Sequence, residues 1–503
     1  MPATLHTRLT RRASIVRAGA RVAALLLGVV SCAFSRAEPI DLSIACRCVE
    51  GGVNGSEARW LKQYVIPEYV ATAKAQGREV SVRLREFAGS AEQMSQQLAL
   101  DFATGQGADL AEFDGFQIPG FVDAGLLKPL DEVAGPEANA WEGWSHIPDS
   151  AQALVRFRGK RYGVPEQTDV RMIFFRRDVF RRAGLDADLW QPRSWGDVLD
   201  AARTLKRADP KSYPLQINAG VAMGEATTMQ GWLMLLAGTG EELRDAQGRW
   251  IVRSPGMRAA LDFYKTVYID EKLGEARTQR LVSGRNRSFT DFQRGKSAIL
   301  IESNWFFYTA IDPQGDFPIA DRDDLVGWAK MPARAPGSAV RGQDFISVSG
   351  GNSFVLNPHS RHPREAWSLL AFMNSAPSLR RYQDYNEHLC VRDDVLPPHS
   401  QFLRDSGREL LPLTTIRPID ADYEKVSAEI QRMTESVIAG KLSPRAAMAE
   451  YAAAVKQIVG ADRTIAYDTS SVRRGAIHRA RSDLQARAGR DESRPYGDEH
   501  DAN

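Results

Sequence analysis

The sequence predicts an α/β protein of two lobes, and three observations carry that expectation. Segments with an apolar residue at every second position alternate with segments whose apolar residues recur every three or four, the signature of strands interleaved with helices. Of 503 residues, 43% are hydrophobic, and once an N-terminal export signal is set aside roughly 425 positions remain that can fold, enough for two cores rather than one oversized one. No run after that signal approaches the length of a membrane span.

The export signal comes first. Arg8, Arg11, Arg12, Arg17 and Arg21 precede the apolar run Val22 to Val30, and Ser35-Arg36-Ala37 supplies a small-residue cleavage site, so residues 1–37 read as a signal peptide. Val29-Val30-Ser31-Cys32 resembles a lipoprotein box with Cys32 as the lipidated residue. Val29 stands where that box wants leucine, which favours soluble release. Thr10-Arg11-Arg12 is similar to a twin-arginine signal, but Ser14 replaces the apolar residue that follows it. An exported protein works without ATP, which sets aside kinases and synthetases and leaves binding proteins and hydrolases. The first 37 residues hold six arginines and no acid, so the remainder has 59 basic against 63 acidic residues, and its charge gives no ground for nucleic-acid binding.

Ile40, Leu42 and Ile44 predict one strand, and Val80, Val82 and Leu84 a second. Glu57 to Gln76 between them reads as a helix broken near Pro67, and Met94, Leu98 and Phe102 begin another. Ser194 with Asp197 forms a capping-box pattern ahead of Trp195, Val198, Ala202 and Leu205. Pro363 opens a helix carrying Trp367, Leu370 and Met373, and Ser443-Pro444 opens a last one carrying Met448, Tyr451, Val455 and Ile458. From 463 to 503 the chain is polar and charged and is expected to be a disordered tail.

Cys46, Cys48 and Cys390 survive soluble processing. One disulfide with a spare thiol is expected, Cys390 pairing with Cys46 or Cys48 in preference to a bridge within Cys46-Arg47-Cys48. A metal site that includes His388 is the alternative. Enzyme motifs fail one by one. No serine sits in a G-x-S-x-G elbow, Gly295-Lys296-Ser297 lacks the opening glycine of a phosphate loop because Thr290 stands there, and His359 and His362 lack the zinc-motif glutamate. A carboxylate pair for glycoside hydrolysis stays open, because such acids act from distant positions.

Several blocks, in order, resemble the extracellular solute-binding proteins of family 1, the sugar receptors of ABC importers that include the maltose-binding protein. They are Gly107 to Asp114 followed by Phe121-Val122-Asp123-Ala124-Gly125-Leu126-Leu127-Lys128-Pro129-Leu130-Asp131, Tyr162-Gly163-Val164-Pro165 with Thr168-Asp169, and Phe174 to Asp178. Trp195 lies in the usual helix start. Phe292 to Ala298 leading to Asn304-Trp305, and Gly350-Gly351 before His362 to Trp367, complete the set.

The resemblance implies a type II periplasmic binding protein fold, two α/β lobes joined by three crossovers, with 40–167 and 303–385 in the N-terminal lobe and 168–302 and 386–462 in the other. It implies a periplasmic, monomeric receptor with no cofactor and no catalytic residue. Its partners would be a carbohydrate, most simply a disaccharide or α-glucoside, and an inner-membrane ABC permease. A secreted carbohydrate-cleaving enzyme and a sugar sensor for a membrane receptor are the alternatives. Trp305 and Tyr423 match stacking positions, and Asp114, Asp169 and Arg171 match hydrogen-bonding ones. Asn352 stands where many relatives place tryptophan. Arg392 falls in a segment where Leu389-Cys390-Val391-Arg392 replaces the frequent L-P-T-R. Trp232 reads equally as core or pocket among Leu233, Leu235 and Leu236.

Overall fold

A computed structural model describes residues 39–467 apart from Val53 and Ser90. The signal segment 1–37 with Cys32, and the expected tail from 468 onward, lie outside the described residues. In chain order the strands that frame the site are β1 (Ile40–Cys46), β2 (Val80–Glu86), β3 (Leu110–Asp114), β4 (Gly163–Pro165), β5 (Arg171–Arg176) and β6 (Leu215–Gln216). They continue with β7 (Ile299–Ser303), β8 (Val326–Ala329), β9 (Met331–Pro332), β10 (Phe345–Ser349), β11 (Asn352–Leu356) and β12 (Thr414–Ile416).

The first lobe is built on a five-stranded sheet of order β2-β1-β3-β11-β4, in which β1 runs parallel to β2 and β3 and β11 runs antiparallel to its neighbours. Its core joins Leu42, Ile44, Trp60, Leu110, Phe354 and Leu370. The second lobe has a four-stranded sheet of order β8-β5-β7-β6 and a ribbon of order β9-β10-β12. Its core gathers Ile173, Phe175, Trp195, Trp232, Trp250, Ile299 and Val348. A separate cluster packs Phe174, Phe289, Phe306 and Leu403 on the other face of β5 and β7. Alternation along β5 explains the split, since Ile173 and Phe175 point to one face and Met172 and Phe174 to the other.

Local signals hold where the physics is local. Ser194 accepts from the Asp197 N–H while Asp197 reaches back to the cap, completing the capping box on Trp195–Ala208. Ser443 caps Pro444–Val459 by accepting from the Ala446 N–H alone. The expected break near Pro67 is instead a widened turn, Leu61–Val65, within a continuous helical run from Gly55 to Ala75. Proline lacks an N–H and crowds the carbonyl four residues back, and a π turn relieves both without ending the helix.

Strand pairing moves two of the expected lobe boundaries. Residues 303–349 were expected in the first lobe, yet β8 pairs with β5, and Ala329, Met331, Ile346 and Val348 enter the second core. Gly327 permits this pairing, since a Cβ there would lie 2.3 Å from the Phe175 ring. The second passage between lobes therefore falls at Gly350-Gly351. Gly351 has φ +153°, and a side chain on it would meet the Gln167 carbonyl at 2.1 Å. Residues 386–395 likewise stay with the first lobe, where Val391 and Val395 are core residues. The expected tail also starts later than 463, because Thr464–Ala466 pairs in parallel with Trp250–Arg253.

Cys46 bonds to Cys48, their Cα atoms 5.2 Å apart, and Cys390 is a free thiol. This corrects the expected bridge to Cys390. The Cα spacing lies within the range a disulfide spans, and Cys390 is engaged instead in a backbone bridge with Gln167 of the first passage. Burial pushes the Cys390 thiol up to about 12. Among the described residues no helix is long and apolar enough to cross a membrane.

Candidate functional site in the cleft between the lobes

In open α/β sheets ligands meet the chain beyond the carboxyl ends of the strands. Here β3 ends at Asp114 in the first lobe, and Arg417 of the second lobe, one residue past β12, donates to it from Nη2. Arg417 is 5% exposed and Asp114 29%. The Arg417 guanidinium also lies 4.2 Å from the centre of the Phe116 ring and 3.5 Å from Glu225. Tyr423 donates its hydroxyl to Glu225 Oε2 at 3.0 Å, Ser427 donates to Oε1, and the Phe116 and Tyr423 rings meet edge to face at 5.6 Å. Burial works against the charge of Arg417, but Asp114 and then Glu225 outweigh it and raise its pKa. Burial raises the Glu225 carboxyl, opposed by Arg417 and by the Ser427 and Tyr423 hydroxyls.

Asp169, on the first passage, accepts from the Gly350 N–H at 2.7 Å, from Arg171 Nη1 at 2.6 Å and from Ser303 Oγ at 3.2 Å. Arg171 is buried and donates a second bond to the Val348 carbonyl at 3.0 Å, so it braces the two passages from within. A Cβ on Gly350 would sit 3.4 Å from Arg417 and 3.5 Å from Asp169, which places both clusters against the same turn. Two residues beyond Ser303, half-buried Trp305 has the Phe289 ring edge-on at 5.9 Å and the Arg285 guanidinium 4.9 Å from its centre. Arg285 in turn holds fully buried Glu302 through bonds of 2.8 and 3.0 Å.

The first-lobe wall is different. Glu112 accepts from Asn352 at 2.6 Å and from the Arg47 N–H at 2.7 Å. Behind it Glu57 and Glu166 are fully buried, with Glu57 Oε1 and both Glu166 oxygens lacking any hydrogen-bond partner. Burial, with Glu112 as a like-charged neighbour, pushes both carboxyls well above their usual range.

The structure thus gathers Asp114, Asp169, Arg171, Trp305, Asn352 and Tyr423 around the passages between lobes. Their roles differ from those the sequence implies. Tyr423 is wholly covered and acts through its hydroxyl, while Arg171 and Asn352 are braces. Two expected residues lie elsewhere. Trp232 is 0% exposed in the second core, since the leucines beside it pack into the same layer. Arg392 is tied to Asp394 by bonds of 2.8 and 2.9 Å and faces Asn374 in the first lobe. Sequence pattern does not single out Arg417, Glu225 or Phe116, since nothing in the segments around them marks a binding residue. For metals, among the described residues His146, Asp393 and Asp394 bring ligand atoms within 4.8 Å of one another, but Arg392 already neutralises Asp394.

Two α/β lobes joined by paired passages, with charged and aromatic groups of both meeting between them, define a two-lobed cleft protein. Residues 54–378 match the bacterial extracellular solute-binding protein family, and the chain belongs to it. A Deinococcus radiodurans protein named "Probable ABC transporter-binding protein" is 24% identical over 371 residues, covering 71% of this chain and 78% of its own. A solute-binding protein of an ABC transporter from Thermotoga lettingae, solved with α-D-tagatose, superposes with a TM-score of 0.66 at 23% identity over 84% of this chain and all of its own. A maltose-bound protein of T. maritima gives 0.67 at 18% identity, again over 84% of this chain and all of its own. These structural likenesses establish the shared fold.

Proposed function

We propose that the cleft captures an uncharged carbohydrate, a disaccharide or α-glucoside, which the protein carries through the periplasm to an inner-membrane ABC permease. The signal segment with soluble release accounts for the location. The observation that carries the reading is the joint of Asp114 from one lobe with Arg417, Glu225 and Tyr423 from the other, flanked by Phe116. Sugar hydroxyls need planar charged acceptors and donors, and sugar C–H faces need aromatic rings; this joint and Trp305 supply both kinds of group. Contacts drawn from both lobes are also what allow a ligand to favour the closed arrangement.

The charge state of the cleft narrows the ligand. Arg417 is matched by Asp114 and Glu225, Arg171 by Asp169, and Arg285 by Glu302. A phosphorylated or carboxylated sugar would have to displace a carboxylate from its arginine, and neutral hydroxyls need not. The tagatose and maltose held by the two structural relatives are both neutral.

The test is thermal shift of the processed protein against mono- and disaccharides, polyols and their phosphates, each mixture then chromatographed. A ligand bound to the folded state alone raises the melting temperature by mass action. The expected result is a rise with one or two intact neutral disaccharides. A rise with phosphates alone would overturn the neutral assignment, and cleaved sugar would show an enzyme.

A further inference from the structure

We infer that Arg285 is a positioning residue for the sugar platform: with Glu302 it clamps the Trp305 ring so that one face is covered and the other is held toward the cleft. The inference rests on the carbohydrate reading above and concerns a residue that touches neither Asp114 nor Arg417.

Arg285 stands in the first turn of the helix Gly284–Gln293, and Phe289 lies one turn further along the same face. Both side chains reach Trp305, the guanidinium at 4.9 Å from the ring centre and the Phe289 ring edge-on at 5.9 Å. Glu302 fixes the guanidinium from the other side. It sits near the end of β7, is fully buried, and takes bonds of 2.8 Å to Oε1 and 3.0 Å to Oε2 from Nη2, with Nε at 3.2 Å from Oε2. A buried carboxylate costs several kcal/mol unless paired with good geometry, so the pair is locked in one orientation. The planar guanidinium is suited to stacking on an indole while it forks onto a carboxylate. Glu302, Ser303 and Trp305 are nearly consecutive, and Ser303 bonds to Asp169. The clamp therefore sets the ring against a residue already placed at the passage between lobes. Arg285 remains about one-third exposed, and among the described residues none of its hydrogen bonds involves Nη1. That leaves Nη1–H donors at the rim of the ring for a hydroxyl of the stacked sugar.

Two variants test the clamp. Arg285→Lys keeps a charge for Glu302 and loses the flat stack, and Arg285→Ala with Glu302→Ala removes both members and so avoids an orphaned buried acid. The first readout needs no ligand: acrylamide quenching of Trp305, taken as the difference between each protein and its Trp305→Phe counterpart. Uncovering one face is expected to raise the quenching constant about twofold in both variants. An unchanged constant would overturn the clamp. The second readout is maltose affinity by calorimetry, expected to weaken about fivefold in Arg285→Lys and more in the double variant, without change in circular dichroism. If the wild type binds maltose, Trp305→Phe weakens it and neither Arg285 variant does, the positioning role fails while the platform stands. If the wild type does not bind maltose, maltose is excluded as the ligand, and the quenching result still decides the clamp.

Discussion

The two walls of the cleft handle buried charge in opposite ways. On the second-lobe side the acids have a cation or hydroxyl of their own: buried Glu302 has Arg285, and half-buried Glu225 has Arg417, Tyr423 and Ser427. On the first-lobe side Glu57 and Glu166 are sealed in beside Glu112, with Arg47 the cation acting on Glu57 and both oxygens of Glu166 unpartnered. A carboxylate that is paired stays ionised and can be exposed to a ligand by a small rearrangement. One that is buried without a partner holds its proton instead. The second-lobe wall is thus an ionic surface, and behind the first-lobe wall lie acids whose burial favours the protonated form.

Removing a cation should matter most where charges are matched. Arg417→Met strips Glu225 and Asp114 of their partner and is expected to lower stability by about 3 kcal/mol in urea unfolding. A variant as stable as the wild type would mean that the two walls do not differ in this way. Neutralising an acid should do the reverse on the other wall. With pKa values raised above the unfolded 4.5, Glu57 and Glu166 keep protons that the unfolded chain has released, so their contribution to stability is full below 4.5 and lost as pH rises through the folded values. Glu166→Gln should accordingly gain about 1–2 kcal/mol at pH 8 and almost nothing at pH 4.5. Equal gains at both would place an ionised Glu166 in the folded protein.

His388 runs the other way. Burial lowers it from 6.5 to about 4, so the stability it contributes is lost as pH falls through that window. His388 is present in both proteins, so the difference between Glu166→Gln and the wild type at each pH cancels its contribution. A smaller effect is expected at Trp305, where alanine should weaken sugar binding at least about tenfold, or 1.4 kcal/mol, with little loss of stability because the ring is only half-buried. Unchanged affinity in calorimetry would remove Trp305 from the site. Least of all, Cys390→Ser should shift stability by about 1 kcal/mol or less, since the thiol closes no disulfide and only its covered position resists the hydroxyl. A loss near 3 kcal/mol would argue for an alternative bridge to Cys46 or Cys48.

Much of the fold could be read from local pattern. The alternation in β1, the Ser194–Asp197 box and the Ser443-Pro444 start each involve residues within one turn or one strand of each other, where sequence spacing and spatial contact coincide. The lobe boundaries could not, because β8 joins the second lobe through Gly327 lying under Phe175, a fit invisible from either segment alone. Trp232 and Trp305 look alike in sequence, each an aromatic among apolar neighbours. Of the two, Trp305 has the Arg285 guanidinium over its ring and follows Ser303, which bonds to Asp169, whereas Trp232 lies in the second core. Glu225 carries no local signal, since its partner Arg417 is 192 residues away.

The crossing at Gly351 has a mechanical meaning. Its backbone presses on the Gln167 carbonyl so closely that no side chain fits, Gln167 bridges on its other flank to Cys390, and Asp169 ties Arg171 to Gly350. Strands strapped this tightly cannot twist one at a time. Any turn of one lobe against the other has to carry these strands together, because the contacts at Gly351, Gln167 and Asp169 tie each to its neighbour.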